Sequence, residues 1–528
     1  MFGNDIWHSG VISTNDRTWR IAAIFEIAMV FAVFALEGGW PPPDPNEPHY
    51  LCKAFHFWHS DWCPKDFFLD SADTHVTFYV TAGALTRWFS LALTAWIGRV
   101  ITWALMAAGW WRLSSAITPR FGWSVLAAGL FTALNYRFHM AGEWVVGGFE
   151  AKGFAYALVF FALGAAIRGS WNRAWILLGI ASAFHVLVGG WSVVAMLGTW
   201  ALLGADRPAL RLMLPGLAIG ALLALPGLWP ALALTHGEPP EIVTEAYRLY
   251  VYERLPHHLW PERFAPPLVE RFMLMVCGWI ALCAFVPSDV RQKPLRRFVT
   301  CTLAIAGGGW LVSLLAPVYP SAIAGVLRLY WFRLSDAMVP LGIAVVGTHW
   351  IADLAIRRVR LSKLPVMIAT LAVAAHLGQL CVERATFPVP RADGPGKVYD
   401  YHDWRDVCAW ASSNTPQDAL FLTPRQSQTF KWYAGRSEVV TWKDIPQDAA
   451  DLVRWWQRMN AIHGTGAAPP EARFYSSLAD SSVPHLARVA RTYKVDYLIT
   501  SSQPSLPIPI AYQNNAYVVY DMRSLRGD

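Results

Sequence analysis

Charge is scarce in this chain. Asp, Glu, Lys and Arg make up 15 % of its 528 residues, against roughly 25 % in an ordinary soluble protein. A soluble globule of this length could not solvate its surface with so little charge. A typical cytosolic enzyme, a disordered chain and a nucleic-acid scaffold are therefore excluded. Cysteine is sparse as well. Seven residues make no disulfide scaffold, and Cys277, Cys283, Cys301 and Cys381 fall in apolar stretches where packing is their expected role. Low-complexity sequence is missing beyond the short run Pro41-Pro-Pro43, and no internal repeat of the secondary-transporter kind is present.

What the chain has is apolar sequence, 55 % of it, arranged in long runs. That defines a polytopic membrane protein, mainly α-helical. The first run, Ile21 to Leu36, has no small-residue cleavage site after it and reads as an uncleaved span. Further candidates are 97–111, 121–136, 152–167, 174–187, 190–204, 210–234, 270–287, 298–316, 329–349 and 364–382, about eleven spans in all. The net charge of +7 follows from basic connections. Arg17 and Arg20, Arg112 and Arg120, Arg168 and Arg173, and Arg207 and Arg211 occupy alternate loops. So do Arg291, Lys293, Arg296 and Arg297, then Arg357, Arg358, Arg360 and Lys363. The positive-inside rule makes these cytoplasmic, with the N-terminus inside and the C-terminus in the periplasm of a bacterial cytoplasmic membrane.

The expected organisation is a transmembrane domain over 1–382 with outward loops at 37–96, 137–151 and 235–269, followed by an extracytoplasmic α/β domain over 383–528. In that tail, Asp403–Ser412, Asp448–Met459 and Val483–Tyr493 read as helices. Ala419–Leu422, Glu438–Trp442, Val495–Thr500 and Tyr517–Tyr520 read as strands.

Acids, imidazoles and aromatics concentrate in the outward loops. The first contains Asn46-Glu-Pro-His-Tyr-Leu51, then Lys53, His56, His59, Asp61, Asp66, Asp70, Asp73 and His75. Six aromatics between Phe55 and Phe68 make it too apolar for a linker, so it should lie along the membrane surface as short amphipathic helices. Glu47 stands beside apolar surface, where a carboxylate gains basicity and can take a proton from a hydroxyl or amine; a solvated or helix-capping acid is the bland reading. His49, His56 and His59 are metal-ligand types, but their spacing matches no zinc signature. Cys52 and Cys63 share this loop and either pair or remain thiols.

The second outward loop brings His139, Glu143, Glu150 and Lys152. Charges at the mouth of an apolar span face a water-filled cavity or close on each other as an ion pair. His185, followed by Gly189 and Gly190, suits a short helical hairpin lining the same cavity. The third outward loop holds Tyr247, Arg248, Tyr250, Tyr252, Arg254, His257, His258 and Trp260, a mixture that suits a phosphate head group beside a lipid chain or sugar ring. Arg333 with Asp336 at i+3 reads either as a salt bridge or as a phosphate holder at the start of the tenth span. Glu26, inside the first span, must pair within the bundle or mark a relay.

This order of parts resembles the GT-C superfamily of integral-membrane glycosyltransferases: one span, a large outward loop whose acidic-aromatic motif starts soon after the membrane, about ten more spans, and an outward α/β tail. The superfamily includes protein mannosyltransferases, aminoarabinose transferases and oligosaccharyltransferases. Asn46-Glu-Pro-His-Tyr-Leu51 and Thr429-Phe-Lys-Trp-Tyr-Ala-Gly-Arg436 are also similar to stretches of uncharacterised polytopic proteins of planctomycete-type bacteria. The resemblance implies transfer of a sugar from a polyprenyl-phosphate-linked donor to a lipid, glycan or protein acceptor at the outer membrane face. An acid of the first outward loop would be the base. Where the mannosyl and aminoarabinosyl enzymes carry Asp-Glu, this chain has Asn46-Glu47, so either Glu47 takes the role or the activity is lost. Metal-dependent members add paired acids in the second loop. Glu143 and Glu150 do not follow that spacing, so a metal-independent mechanism is expected.

The expected site is thus Glu47 as catalytic base, with His49, Tyr50, His139, Glu143, Glu150, Lys152, Arg248, Arg254, Arg333 and Asp336 binding substrate. The rival readings are a lipid or solute transporter or flippase, and a non-catalytic envelope scaffold.

Overall fold

The computed structural model describes residues 16–357, 363–466 and 473–526. Arg358 and Arg360, two of the charges used to orient the chain, lie outside the described residues, as does the side chain of Arg17.

Helix α1 (Asp16–Gly38) is followed by a surface stretch made of a π-helical turn at Pro48–Cys52, α2 (Lys53–Trp58), α3 (Val76–Val80) and a 3₁₀ turn at Ala82–Arg87. The first loop is therefore short helices, as its aromatic content requires. The bundle continues with α4 (Leu91–Ile117), α5 (Trp123–Phe138), α6 (Ala151–Ile167), α7 (Trp171–Phe184), α8 (Val186–Leu202) and α9 (Leu210–Ala233). A second surface stretch holds α10 (Pro240–Arg248), a π-helical turn at Leu249–Arg254 and α11 (Pro256–Leu259). Then come α12 (Pro266–Phe285), α13 (Lys293–Ser313), α14 (Pro320–Leu327), α15 (Arg333–Ile356) and α16 (Lys363–Thr386).

Each of the apolar runs read from the sequence is helical. Among the described residues six helices, α1, α4, α9, α12, α15 and α16, are long and apolar enough to cross a membrane. Helices α6 and α8 are apolar but have 17 residues each, short of the roughly 20 that a straight span needs. Length and composition thus support six spans, fewer than the expected count. Helices α7 and α8 form the hairpin expected around His185. A Cβ on Gly189 would stand 2.3 Å from the Ser182 backbone nitrogen, so only glycine lets these helices meet so closely. The chain breaks at His185, whose Nδ1 accepts the Val188 N–H at 3.3 Å and caps α8.

Glu26 is a structural acid and no relay. It accepts the Trp111 indole N–H at 3.0 Å and the Gly122 N–H at 2.8 Å, closing the turn between α4 and α5.

The tail forms a five-stranded mixed sheet. Strands β1 (Leu420–Leu422), β2 (Ser437–Glu438), β3 (Tyr497–Ser501), β4 (Ile510–Gln513) and β5 (Tyr517–Asp521) lie in the order β2-β1-β3-β5-β4. β1 runs parallel to β2 and β3, and the other two pairings are antiparallel. Side chains alternate across it. Phe421, Tyr497, Ile499, Tyr517 and Val519 pack on α17 (Tyr401–Asn414) and the short α18 (Phe430–Ala434). Leu420, Leu422, Leu498, Val518 and Tyr520 face α19 (Ala449–His463) and α20 (Val483–Tyr493). Asp400, Asp448 and Ser482 cap α17, α19 and α20 through their side chains. Ala246 and Leu249 of the second surface stretch join the α19 side of the core, so the sheet is seated on the loops that connect the membrane helices.

Candidate functional site

Between the sheet and the helix ends lies a cavity of about 430 Å³. The first loop contributes Asn46, His49, Tyr50 and His75; the second contributes Glu143 and Trp144, and α6 contributes Lys152 from its first turn. His185 reaches in from the α7–α8 hairpin. Tyr247, Tyr250, Arg254 and His258 come from the third loop, and Arg328, Tyr330 and Arg333 from the chain entering α15. Lys443 closes the cavity from the tail. Its remaining wall is aliphatic, with Leu228, Ala231 and Leu232 of α9.

Helix geometry decides which residues of the first loop take part. Asn46 and Tyr50 are one turn apart, joined by a 3.1 Å backbone hydrogen bond, and with His49 they face the cavity. Glu47 and Leu51 point the other way and are wholly buried. Glu47 receives Arg99 Nε and Nη2 at 2.6 Å each, plus the N–H groups of Asp44 at 2.7 Å and Phe149 at 2.8 Å. Four donors saturate the carboxylate, and Arg99 is equally enclosed. The expected base is thus held in a closed ion pair behind the cavity wall, with no face open to a substrate. The pair pins the first loop to α4 and to the second loop.

The second carboxylate–guanidinium pair is arranged differently. Glu143 Oε2 lies 3.0 Å from Arg333 Nε, and its Oε1 lies 3.6 Å from Lys152 Nζ and accepts the Tyr156 hydroxyl at 3.1 Å. Arg333 stacks 3.9 Å above the Tyr330 ring, and Lys152 stands 4.0 Å from that of Trp144. All but Tyr156 line the cavity. Glu150 sits one layer back, 3.8 Å from Lys152 and accepting the Asn46 amide at 2.9 Å. Burial raises its pKa, against the pull of Lys152 and Asn46.

Three other expected residues take different places. Asp336 makes no salt bridge with Arg333. It accepts the Met140 and Ala141 N–H groups at 2.8 Å and the Glu143 N–H at 3.3 Å, shaping the second loop from below. Arg248 lies on the far side of α10, exposed and paired with Glu245 at 2.9 Å. His139 is absent from the cavity wall, and its Nδ1 is buried without a partner. Arg254 does line the cavity, donating to the Trp442 carbonyl at 2.9 Å with its guanidinium against the Trp442 ring; burial lowers its pKa to about 10.

His56 bonds the Trp62 carbonyl and Asp70, and His59 bonds the Phe55 carbonyl. Among the described residues no three His, Cys, Asp or Glu side chains converge as a metal site. Cys52 and Cys63 are buried free thiols in one apolar cluster.

Local sequence reading missed the tail's contribution. Among the described residues Lys443 forms no hydrogen bond or ion pair, and burial brings its pKa down to about 8. Its neighbour Asp444 belongs to a buried cluster in which Lys431 Nζ stands 2.7 Å from Asp444, 2.5 Å from Glu438 and 3.4 Å from Asp66. Burial opposes the Asp444 charge, but Lys431 and His49 outweigh it and lower the pKa. Because Asp66 lies on the first loop, this cluster joins tail and loop directly beside the cavity. Lys431 falls in the segment Thr429–Arg436 that the sequence marks out, whereas nothing local marks Lys443.

A domain of unknown function, DUF6798, matches residues 402–462, which cover α17 to α19. No curated protein sequence matches the chain. Among solved structures, the Archaeoglobus fulgidus oligosaccharyltransferase, crystallised in complex with zinc and sulfate, is 12 % identical with a TM-score of 0.46, over 90 % of this chain and 67 % of that one. ArnT from Cupriavidus metallidurans bound to undecaprenyl phosphate is 12 % identical with a TM-score of 0.37, over 97 % of this chain and 100 % of that one. In its apo state the corresponding figures are 14 %, 0.37, 98 % and 100 %.

Proposed function

We propose that this chain is a membrane glycosyltransferase that moves a sugar from a polyprenyl-phosphate-linked donor to an acceptor at the outer membrane face. One observation carries the reading. Lys152, Arg254, Arg328, Arg333 and Lys443 line the cavity against the single lining carboxylate of Glu143, and the adjoining wall is aliphatic. Excess positive charge in a pocket with low-dielectric walls favours an anion. Arg333 and Lys152 are held by Glu143 yet keep donors for a phosphate, since a guanidinium has five N–H groups and an ammonium three. The aliphatic wall is α9, whose Leu222, Trp229 and Leu232 are 66 %, 76 % and 64 % exposed. A prenyl chain can lie along that surface while its phosphate enters the cavity. The aromatic rings of Tyr50, Trp144 and Tyr330 suit the apolar face of a sugar.

In this reading the cations neutralise the departing lipid phosphate, the charge that develops as the glycosidic bond breaks. The tail beyond Glu383 is a separate domain that roofs the site and selects the acceptor. The test is release of undecaprenyl phosphate from a panel of undecaprenyl-phosphate hexoses by the purified protein, followed by mass spectrometry. Release by the wild type and its loss in Arg333→Ala is the expected result. A protein that translocates these lipids in vesicles without cleaving them is a flippase, and the proposal fails.

A further inference from the structure

We infer that His49 is the general base that deprotonates the acceptor hydroxyl, oriented by Asp444 of the tail; the inference rests on the transferase reading above. Glu47 cannot serve, because Arg99 and two backbone N–H groups fill its carboxylate. Glu143 is committed to Arg333, Lys152 and Tyr156. Of the imidazoles on the cavity wall, His185 meets a backbone N–H and Arg333, His258 bonds the Ala141 carbonyl, and His75 has burial as its main influence, which takes its pKa to about 3.

His49 alone among these stands beside a carboxylate. Its Nδ1 is 3.7 Å from Asp444 Oδ1, a separation of the kind that shortens when a substrate complex forms. The ring is fixed against Phe68 at 4.6 Å between centroids. Asp444 Oδ2 in turn meets Lys431 Nζ at 2.7 Å, so the acid stays ionised and its remaining oxygen points to His49. This is the arrangement by which a carboxylate selects the Nδ1–H tautomer and leaves Nε2 free to accept a proton.

The charged groups around His49 are Asp444, which favours its protonation, and Lys443 and Lys53, which oppose it; burial opposes it most. The imidazole is therefore neutral at pH 7, the form a base requires. Nε2 takes the acceptor O–H proton while the oxygen bonds to the anomeric carbon. The carbon–oxygen bond to the lipid phosphate breaks, and that oxygen keeps the electron pair. The proton then passes from His49 to water.

Asp444 is thus a positioning residue, and the tail supplies part of the catalytic apparatus. The experiment measures hexose transfer, undecaprenyl phosphate binding and thermal stability for the wild type, His49→Gln, Asp444→Asn and Asp444→Glu. General-base removal is expected to lower kcat by roughly a hundredfold or more in His49→Gln, with binding within about twofold and loss of the acidic limb of the pH profile. Asp444→Asn should shift that limb to lower pH, and Asp444→Glu should restore part of the rate. Retention of wild-type kcat by His49→Gln overturns the proposal. Should either substitution prevent folding, modification of the wild type by diethylpyrocarbonate decides: His49 must be modified in step with loss of transfer, and hydroxylamine must restore it. Failure of the wild type itself to bind undecaprenyl phosphate or cleave any donor sinks the underlying transferase reading, an outcome distinct from the loss of kcat alone.

Discussion

Two buried carboxylate–guanidinium pairs, Glu47–Arg99 and Glu143–Arg333, stand on either side of the same wall. In the first, every acceptor position of the acid is filled by the protein, and both partners are fully enclosed. In the second, the acid is shared among a guanidinium, an ammonium and a phenol, and both cations border a cavity. The pairs use similar chemistry for different ends. A saturated pair fixes loops, whereas a pair with donors to spare can receive a ligand. Burial and charge alone do not separate these cases; the count of unsatisfied donors does.

The contrast breaks first on stability. Glu47→Ala leaves Arg99 charged and unpaired in the interior, a loss of about 3–5 kcal/mol, and should produce protein that fails to fold in detergent or melts far below the wild type. Replacing both partners with Leu and Met should recover much of that loss. If the single and double variants melt like the wild type, the pair is not the clamp described here.

Arg333→Ala should have the opposite profile. Lys152 and Tyr156 still serve Glu143, so the melting temperature should change less than in Glu47→Ala. Undecaprenyl phosphate binding should weaken by about thirtyfold, since a hydrogen bond to a charged group contributes about 2 kcal/mol. Equal binding by variant and wild type would remove Arg333 from the site.

A smaller effect concerns Lys443. Its folded pKa is about 8, so it is cationic below that pH and neutral above. Affinity for an anionic lipid should therefore fall several-fold as pH rises through 8, and Lys443→Ala should flatten that dependence. Binding curves between pH 6.5 and 9.5 check it.

The smallest effect lies in the cluster behind the wall. Burial raises the Glu438 pKa from 4.5 to about 7, with Lys431 opposing. The folded state then binds more protons than the unfolded state between these values, so this group's contribution is present at low pH and is lost as pH rises through 7. Glu438→Gln should lessen the decline in melting temperature over that window.

The course of the chain was largely legible from sequence. Apolar runs located the bundle helices, and Val483–Tyr493 was read to the residue because a Ser cap and a strong amphipathic pattern define it. Strand Ile510–Gln513 was missed: it lies on the sheet edge, largely exposed, so it lacks the period-2 pattern that burial imposes. The expected strand Glu438–Trp442 shrinks to Ser437–Glu438 because the chain leaves the sheet there to carry Lys443 to the cavity.

The site was legible by region but not by residue. Six of the expected residues border the cavity: His49, Tyr50, Glu143, Lys152, Arg254 and Arg333. Choosing Glu47 over its neighbours required knowing the helical phase of the Pro48–Cys52 turn, and a short π-helical segment gives no periodic signal from which to read it. Arg99 carried a signal of its own, since a charge inside an apolar span needs a partner. Lys431, Lys443 and Asp444 enter only through the tertiary docking of the tail on the loops.

The central claim is most directly tested by a cryo-electron-microscopy map of the protein with undecaprenyl phosphate. The account predicts phosphate density bounded by Arg333, Lys152 and Lys443, with the prenyl chain running along α9 and the Glu47–Arg99 pair unchanged. Lipid phosphate bound elsewhere, or an empty cavity at saturating lipid, would contradict it.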